Sequence, residues 1–239
     1  MSEELDVQTH GRTWILTLNR PEKLNALNAS LVDKLLVAVD RANAERAQLL
    51  VIRGAGKSFC AGFDLSNLED QTEGDLTLRF VRIELLLQAV ANSHAQTLAL
   101  AHGKVFGAGV DLFAVCRQRV AAHDSLFRMP GLKFGLVLGT RRFSDLVGSE
   151  TAREVLETTK LFTAEQALAM RFTQHLKPLE EWDAVIAEAQ AGTEVLDDFT
   201  RAELYRVLST SKSDTDLANL VRSAARPGLK DRLQRYLGK

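Results

Sequence analysis

The sequence predicts an α/β fold in which buried strands alternate with helices through crossover connections and a mostly helical stretch closes the chain. Short, continuously apolar runs bounded by turn residues alternate with helix-periodic segments over roughly the first 140 positions, as in parallel sheets with covering helices. Beyond about Gly139 the strand signals thin out, and apolar residues such as Val155, Leu156, Val185, Ile186, Leu220 and Leu233 recur at helical spacings. The chain, 239 residues and 46% hydrophobic, is long enough to bury a full core without covalent staples.

Each element follows from local chemistry. Leu5–Thr9 and Thr13–Leu18 are β-rich runs joined through His10-Gly11-Arg12, a hairpin signal. Asn28 or Ser30 is expected to cap a helix whose apolar face is Leu31, Leu35, Leu36 and Val39, with Asp33 in its first turn. Leu49-Leu50-Val51-Ile52 reads as a buried strand ending in the Gly54-Ala55-Gly56 turn. Helical periodicity returns from about Leu76 to Val90, and Thr97–Ala101 reads as the next buried strand. No repeat of fixed period is visible.

Composition excludes several functions. Thirty basic against 31 acidic residues leave a net charge of −1, so no nucleic-acid partner is expected. No apolar run approaches the roughly 18 residues of a membrane span, so no membrane partner is expected either. Two cysteines, Cys60 and Cys116, make no disulfide framework, and Met1-Ser2-Glu3-Glu4 is no secretory or transit leader; the expectation is a cytoplasmic protein. The five histidines show no metal-ligand spacing, so no metal site is expected. His102 is expected to make a structural hydrogen bond, and both thiols to fill small apolar sites.

Two glycine-bearing turns follow strands. Lys57-Ser58-Phe59-Cys60-Ala61-Gly62-Phe63-Asp64-Leu65 follows Val51-Ile52, and Gly103-Lys104-Val105-Phe106-Gly107-Ala108-Gly109-Val110-Asp111-Leu112 follows Thr97–Ala101. Strand exits are where open α/β sheets place ligands. The second turn runs into a helix-like segment whose free N–H groups could hold an anion or a developing oxyanion. The alternative is that the glycines simply make tight turns. Neither the G-x-G-x-x-G spacing nor a Gly-Lys-Ser/Thr phosphate loop is present.

Taken with Arg20-Pro21-Glu22-Lys23-Leu24-Asn25-Ala26-Leu27, the two turns make a series that in order and separation resembles the crotonase (enoyl-CoA hydratase/isomerase) superfamily. Met129-Pro130-Gly131 through Gly135-Leu136 to Val147-Gly148 matches more loosely, and the likeness runs from residue 5 to about 175. The resemblance implies a crotonase-like spiral of ββα units: residues 1–180 as core with the coenzyme A and oxyanion sites, residues 181–239 as a helical trimerisation or lid region. It implies an acyl-CoA thioester substrate, no permanently bound cofactor, and a homotrimer or hexamer.

The resemblance also assigns roles. The backbone N–H groups of Phe63 and Ala108 match the pair that stabilises an enolate-like anion. Ala108 lies where glycine is usual, so its turn must accommodate a Cβ. Lys23, Leu24, Ala26, Ala61, Gly62, Asp64, Leu65 and Gly107 match segments that hold the coenzyme, Lys23 facing either a phosphate or solvent. Two glutamates flank the double bond in hydratases; their positions are held here by Asp111 and Gly131, leaving Asp111 to move protons or to serve only the helix terminus. Leu138-Gly139-Thr140-Arg141-Arg142-Phe143 is shorter than the usual glycine-rich stretch; its two arginines either meet phosphates or are surface residues, and Asp145 is expected at the surface. The implied activity is an enoyl-CoA hydratase or isomerase; a non-catalytic acyl-CoA binder, or a thioester hydrolase or decarboxylase on the same scaffold, are the alternatives.

Overall fold

The computed structural model describes residues 3–238. Strands β1 (Leu5–His10) and β2 (Thr13–Leu18) form the expected hairpin, turning at Gly11. Helix α1 (Ala29–Ala44) is capped by Asn28, whose side chain accepts from the Leu31 N–H at 2.8 Å, which decides between the two candidate caps. Asp33 therefore lies beyond the first turn, where it pairs with Arg82 instead of the helix terminus. Strand β3 (Leu49–Gly54), helix α2 (Glu73–Ala91) and strand β4 (Gln96–Ala101) follow; α2 starts in a Thr72–Asp75 capping box.

Next come β5 (Lys104–Phe106), the short helix α3 (Ala108–Ala114), β6 (Gln118–Ala121) and β7 (Leu126–Arg128). The remainder is mainly helical, as expected: α4 (Thr140–Val147), α5 (Ser149–Thr158), β8 (Phe162–Thr163), α6 (Ala164–Ala169), β9 (His175–Leu176), α7 (Trp182–Thr193), α8 (Asp198–Leu208), α9 (Ser213–Ala224) and α10 (Leu229–Tyr236).

Two mixed sheets organise these elements. The larger runs β1-β2-β3-β4-β6-β9, parallel apart from the β1–β2 hairpin; the smaller runs β5-β7-β8, with β5 and β7 parallel and β8 antiparallel. Successive ββα units place one strand in each sheet, β4 then β5 before α3, and β6 then β7 before α4. In the unit after β3 an isolated bridge from Cys60 to Val105 stands in for the second strand. The units differ in loop length, so the structural repeat leaves no fixed period in the sequence.

The fully buried strand core explains the continuous apolar runs: Leu50 and Ile52 point into the main core with Leu16 and Ala99, whereas Leu49, Val51, Leu98 and Leu100 pack under Trp182 and Ile186 of α7. Cys60 and Cys116 are buried in separate apolar sites, and burial pushes both thiols up to about 12. A third cluster joins Leu76 and Phe80 of α2 to Leu220 of α9 and Leu229 and Leu233 of α10. The last two helices are thus docked on the ββα core. No helix among the described residues is long and apolar enough to cross a membrane.

Candidate active site

The two glycine-bearing turns pack backbone against backbone. Phe59 N–H donates to His102 O at 2.8 Å, Cys60 N–H to Lys104 O at 3.2 Å, and Phe106 N–H to Cys60 O at 2.9 Å. Glycine is required where they touch. A Cβ on Gly62 (φ +88°) would lie 2.5 Å from Phe106 O and 3.2 Å from Ala108 N, and one on Gly109 would lie 2.3 Å from Cys60 O. The same contacts bring the Phe63 and Ala108 peptides into one cavity.

Neither of those amides donates to a protein acceptor among the described residues. Around Phe63 the ladder skips a position: Leu27 N–H donates to Gly62 O and Asp64 N–H to Leu27 O. Ala108 is the first residue of α3, where an amide has no intrahelical acceptor. Gly107 carries the unusual backbone (φ +50°) in its place, so Ala108 keeps an ordinary φ and its Cβ without strain. The start of α3 is pinned by Gly107 N–H donating to Arg128 O at 2.8 Å.

Asp111, one turn along α3, lines the same cavity and is only 3% exposed. Its Oδ1 is buried without a hydrogen-bond partner among the described residues. Burial raises its pKa well above the usual carboxylate value; Arg142 pulls it down and Glu84 pushes it back up. Gly139 abuts this carboxyl so closely that a Cβ there would lie 1.7 Å from Oδ1. Gly131 lines the same cavity beside Pro130, with Leu136 O the nearest atom to a hypothetical Cβ at 3.4 Å.

The cavity, about 190 Å³, is otherwise walled mostly by apolar side chains, among them Phe80, Leu136, Leu138 and Leu233, with Arg128, Thr140 and Tyr236 as the polar exceptions. Phe63 stacks on Phe80 with ring centroids 4.1 Å apart, and the Arg79 guanidinium lies 4.1 Å from the Phe63 ring centre. Arg79 also donates to Asp64 O at 2.8 Å, fixing the turn that carries Phe63.

The residues matched to coenzyme binding are brought together. Ala61 N–H donates to Leu24 O at 2.9 Å, so residues 23–27 lie along residues 61–64. The buried Asn25 side chain holds this arrangement, accepting from Arg20 N–H and donating to Ala55 O and Ser58 O. Side chains then alternate: Phe63 and Leu65 line the cavity, whereas Asp64 and Ser66 line a neighbouring groove that also contains Lys23 and Arg20. Ala61 and Gly107 line the cavity, while Leu24, Ala26 and Gly62 line neither space and contribute backbone. Asp64 bonds the Ser66 N–H and pairs with Arg20 at 2.8 Å; burial alone would raise its pKa, but these partners hold it below the usual value. His102 makes the expected structural contact, its Nε2 2.9 Å from Gly56 O.

One expectation fails. Arg142 is no surface residue: its side chain is only 11% exposed and makes a two-pronged pair with Glu84 at 2.6 and 2.9 Å, while Arg141 makes another with Asp216 at 2.6 and 2.8 Å. Asp145 pairs with Arg141 and remains exposed. The missed partner, Glu84, is only 1% exposed on the apolar stripe of α2 shared with Phe80 and Leu87. A carboxylate at a core position of a helix was the available signal. Arg128, Tyr236 and Leu233, which also line the cavity, carried none. No grouping of three or more His, Cys, Asp or Glu able to hold a metal occurs among the described residues.

Comparison with known proteins agrees with this architecture. The family model described as enoyl-CoA hydratase/isomerase matches residues 10–213. Curated relatives include the "Probable enoyl-CoA hydratase echA6" of Mycobacterium tuberculosis, 36% identical over 176 residues and covering 72% of this chain and 70% of that protein. A Bordetella parapertussis protein assigned as an enoyl-CoA hydratase/isomerase has a crystal structure that superposes with a TM-score of 0.98 at 51% identity over the full length of both chains. An enoyl-CoA hydratase from Bacillus halodurans, at 21% identity, shares the fold with a TM-score of 0.86 over 98% of this chain and 100% of that one.

Proposed function

The chain belongs to the enoyl-CoA hydratase/isomerase family of enzymes acting on acyl-CoA, and from that premise we propose that it moves protons on an enoyl thioester whose oxygen is held by the Phe63 and Ala108 amides. The observation that supports this reading is the convergence, in one apolar cavity, of two unpaired backbone N–H groups with a buried carboxyl on the next helical turn.

Negative charge gathers on the thioester oxygen as C2 acquires carbanion character. Fixed donors aimed at that oxygen in a water-poor site stabilise the charge without reorganising, an effect of several kcal/mol. Asp111 supplies the mobile proton. Its raised pKa makes it an acid that keeps its proton at higher pH and, once charged, a stronger base than an exposed aspartate. One such carboxyl can carry a proton between two carbons of the same acyl chain. Hydration needs a second group to orient water, and Gly131 offers no side chain for it. Double-bond isomerisation is therefore the favoured reaction, with hydration weak. The substrate is the coenzyme A thioester itself, with the coenzyme along Lys23, Asp64 and the joined 23–27 and 61–64 segments, and no resident cofactor.

We extend the reading to a cytoplasmic homotrimer or hexamer with residues 181–239 serving assembly and closure. Two separate buried thiols fit a reducing compartment. Val195 together with Phe199 and Val207 of α8 is strongly exposed in the single chain, as befits a surface covered by a neighbour. Leu233 and Tyr236 of α10 wall the cavity.

The test is steady-state turnover of crotonyl-CoA and of a 3-enoyl-CoA, with products identified by mass. Isomerisation above hydration is expected, and Asp111→Asn is expected to lower it at least about tenfold. Unchanged turnover in that variant would remove Asp111 from the mechanism, and absent turnover with retained coenzyme A binding would leave a binding protein.

A further inference from the structure

A second groove, about 720 Å³, adjoins the cavity and shares Arg128 and Tyr236 with it; the rest of its lining is Lys133, Arg232 and Arg235. Four cations thus surround one space with no carboxylate in its walls among the described residues. None of the four makes an ion pair among the described residues, in contrast to Arg20, Arg82, Arg141, Arg142 and Arg201. Like charges gathered this way repel one another, and the arrangement is relieved by an anion.

The groove is also held in shape. Arg232 is fixed by carbonyls, donating to Phe134 O at 2.9 Å, Pro227 O at 2.7 Å and Arg226 O at 3.1 Å. Arg128 uses Nε on Thr159 O at 3.1 Å, leaving its two terminal nitrogens without a protein acceptor among the described residues. That is the guanidinium edge suited to a two-pronged carboxylate contact. Tyr236 is packed against Phe134, with ring centroids 5.1 Å apart.

Position decides which anion. Two charged grooves neighbour the cavity and share no residue with each other. One contains Lys23, Arg20 and Asp64, the side assigned above to the coenzyme. The other opens beside Arg128, three residues before Gly131 and bonded through its carbonyl to Gly107 at the head of α3. With the coenzyme on the Lys23 side, the end of the ligand left for the second groove is the acyl end.

We propose that the preferred acyl group carries a second carboxylate, which docks among Arg128, Lys133, Arg232 and Arg235 while its short apolar middle crosses the cavity. The substrate class is then the mono-thioester of a short unsaturated dicarboxylic acid. This inference rests on the reading of the cavity as an acyl-CoA site with the coenzyme along Lys23.

The experiment is calorimetric binding, to the full chain, of glutaryl-CoA, butyryl-CoA and coenzyme A alone, repeated with Lys133→Gln/Arg235→Gln. Glutaryl-CoA is expected to bind at least about tenfold more tightly than butyryl-CoA, as one charge-assisted contact would give. The preference should shrink with added salt and fall in the double variant, with butyryl-CoA affinity and melting temperature unchanged. Equal affinity of the two thioesters, with coenzyme A still bound, overturns the proposal while leaving the acyl-CoA reading intact. If the variant weakens all three ligands alike, and 3′-dephospho-coenzyme A escapes the loss, the groove reads a coenzyme phosphate and the proposal is again overturned. Failure of coenzyme A and both thioesters to bind would sink the underlying reading itself.

Discussion

Asp111 combines a buried carboxyl, an unpartnered oxygen and a neighbouring backbone with no room for a side chain at Gly139. Its pKa is raised on folding, so between the unfolded and folded values the native state binds more protons than the unfolded one. Stability attached to this group is present at low pH and is lost as pH rises through the folded pKa. Asp111→Asn removes that dependence. Melting curves from pH 4 to 9 should show the variant gaining on the parent chain as pH rises, and a constant difference would mean that folding leaves the Asp111 pKa where it is in the unfolded chain. Gly131 gives the complementary test. With Leu136 O at 3.4 Å from its hypothetical Cβ, a longer side chain has space to start into the cavity. Gly131→Glu is expected to raise crotonyl-CoA hydration about 10²-fold or more over the parent, the range of a positioned acid or base. The two turns were legible because strand exits with glycines have short-range signatures, and it was the family resemblance they carry that singled out Phe63, Ala108 and Asp111. The inward pairing of Arg142 was not legible, because its partner lies 58 residues away on another helix.

Helices α2, α4 and α9 are tied by a chain of charges running Glu84–Arg142–Asp216–Arg141, its carboxylates buried and its arginines partly so. Burial opposes the charge on Arg142, and the Glu84 and Asp216 carboxylates more than offset it, so its pKa is raised. Removing one member strands the other in a water-poor interior, whereas replacing both with apolar groups removes the problem altogether. Urea denaturation of Glu84→Ala should show a loss of about 3–5 kcal/mol, and Glu84→Leu/Arg142→Met should recover much of it. A double variant as unstable as the single one would show that the pair is not the source of the loss. At this scale the strands were legible as continuous apolar runs and the first helix from its Asn28 cap. The pairing of β5, β7 and β8 into a second sheet was not, since strands of two or three residues carry too little pattern to distinguish them from loop.

The helical C-terminal region contributes in two directions. Inward, α9 and α10 complete the third apolar cluster, and α10 walls the cavity. Outward, Phe199 at 75% and Val207 at 70% exposure leave α8 with an uncovered apolar face. If a neighbouring copy covers it, Phe199→Glu/Val207→Glu should reduce the solution mass measured by light scattering from a trimer or hexamer to the 26.4 kDa of one chain, with the melting temperature falling as subunits separate. A parent chain that is already monomeric would overturn the proposed assembly. Helical periodicity disclosed this region in the sequence but could not say which faces meet the core and which meet another molecule, because both look apolar along the chain.

The proposed oxygen-binding donors sit on peptide units where two turns touch, held there by the lack of a side chain at Gly62 and Gly109. Point mutation replaces side chains and leaves amides behind, so no single codon change at Phe63 or Ala108 can delete the donor, except one to proline. The acids around them have no such protection. On the proposed reading, a lineage carrying this scaffold can lose or acquire a carboxyl at a position such as 111 or 131 and pass from one thioester reaction to another, without losing its grip on the charge that each of them must stabilise.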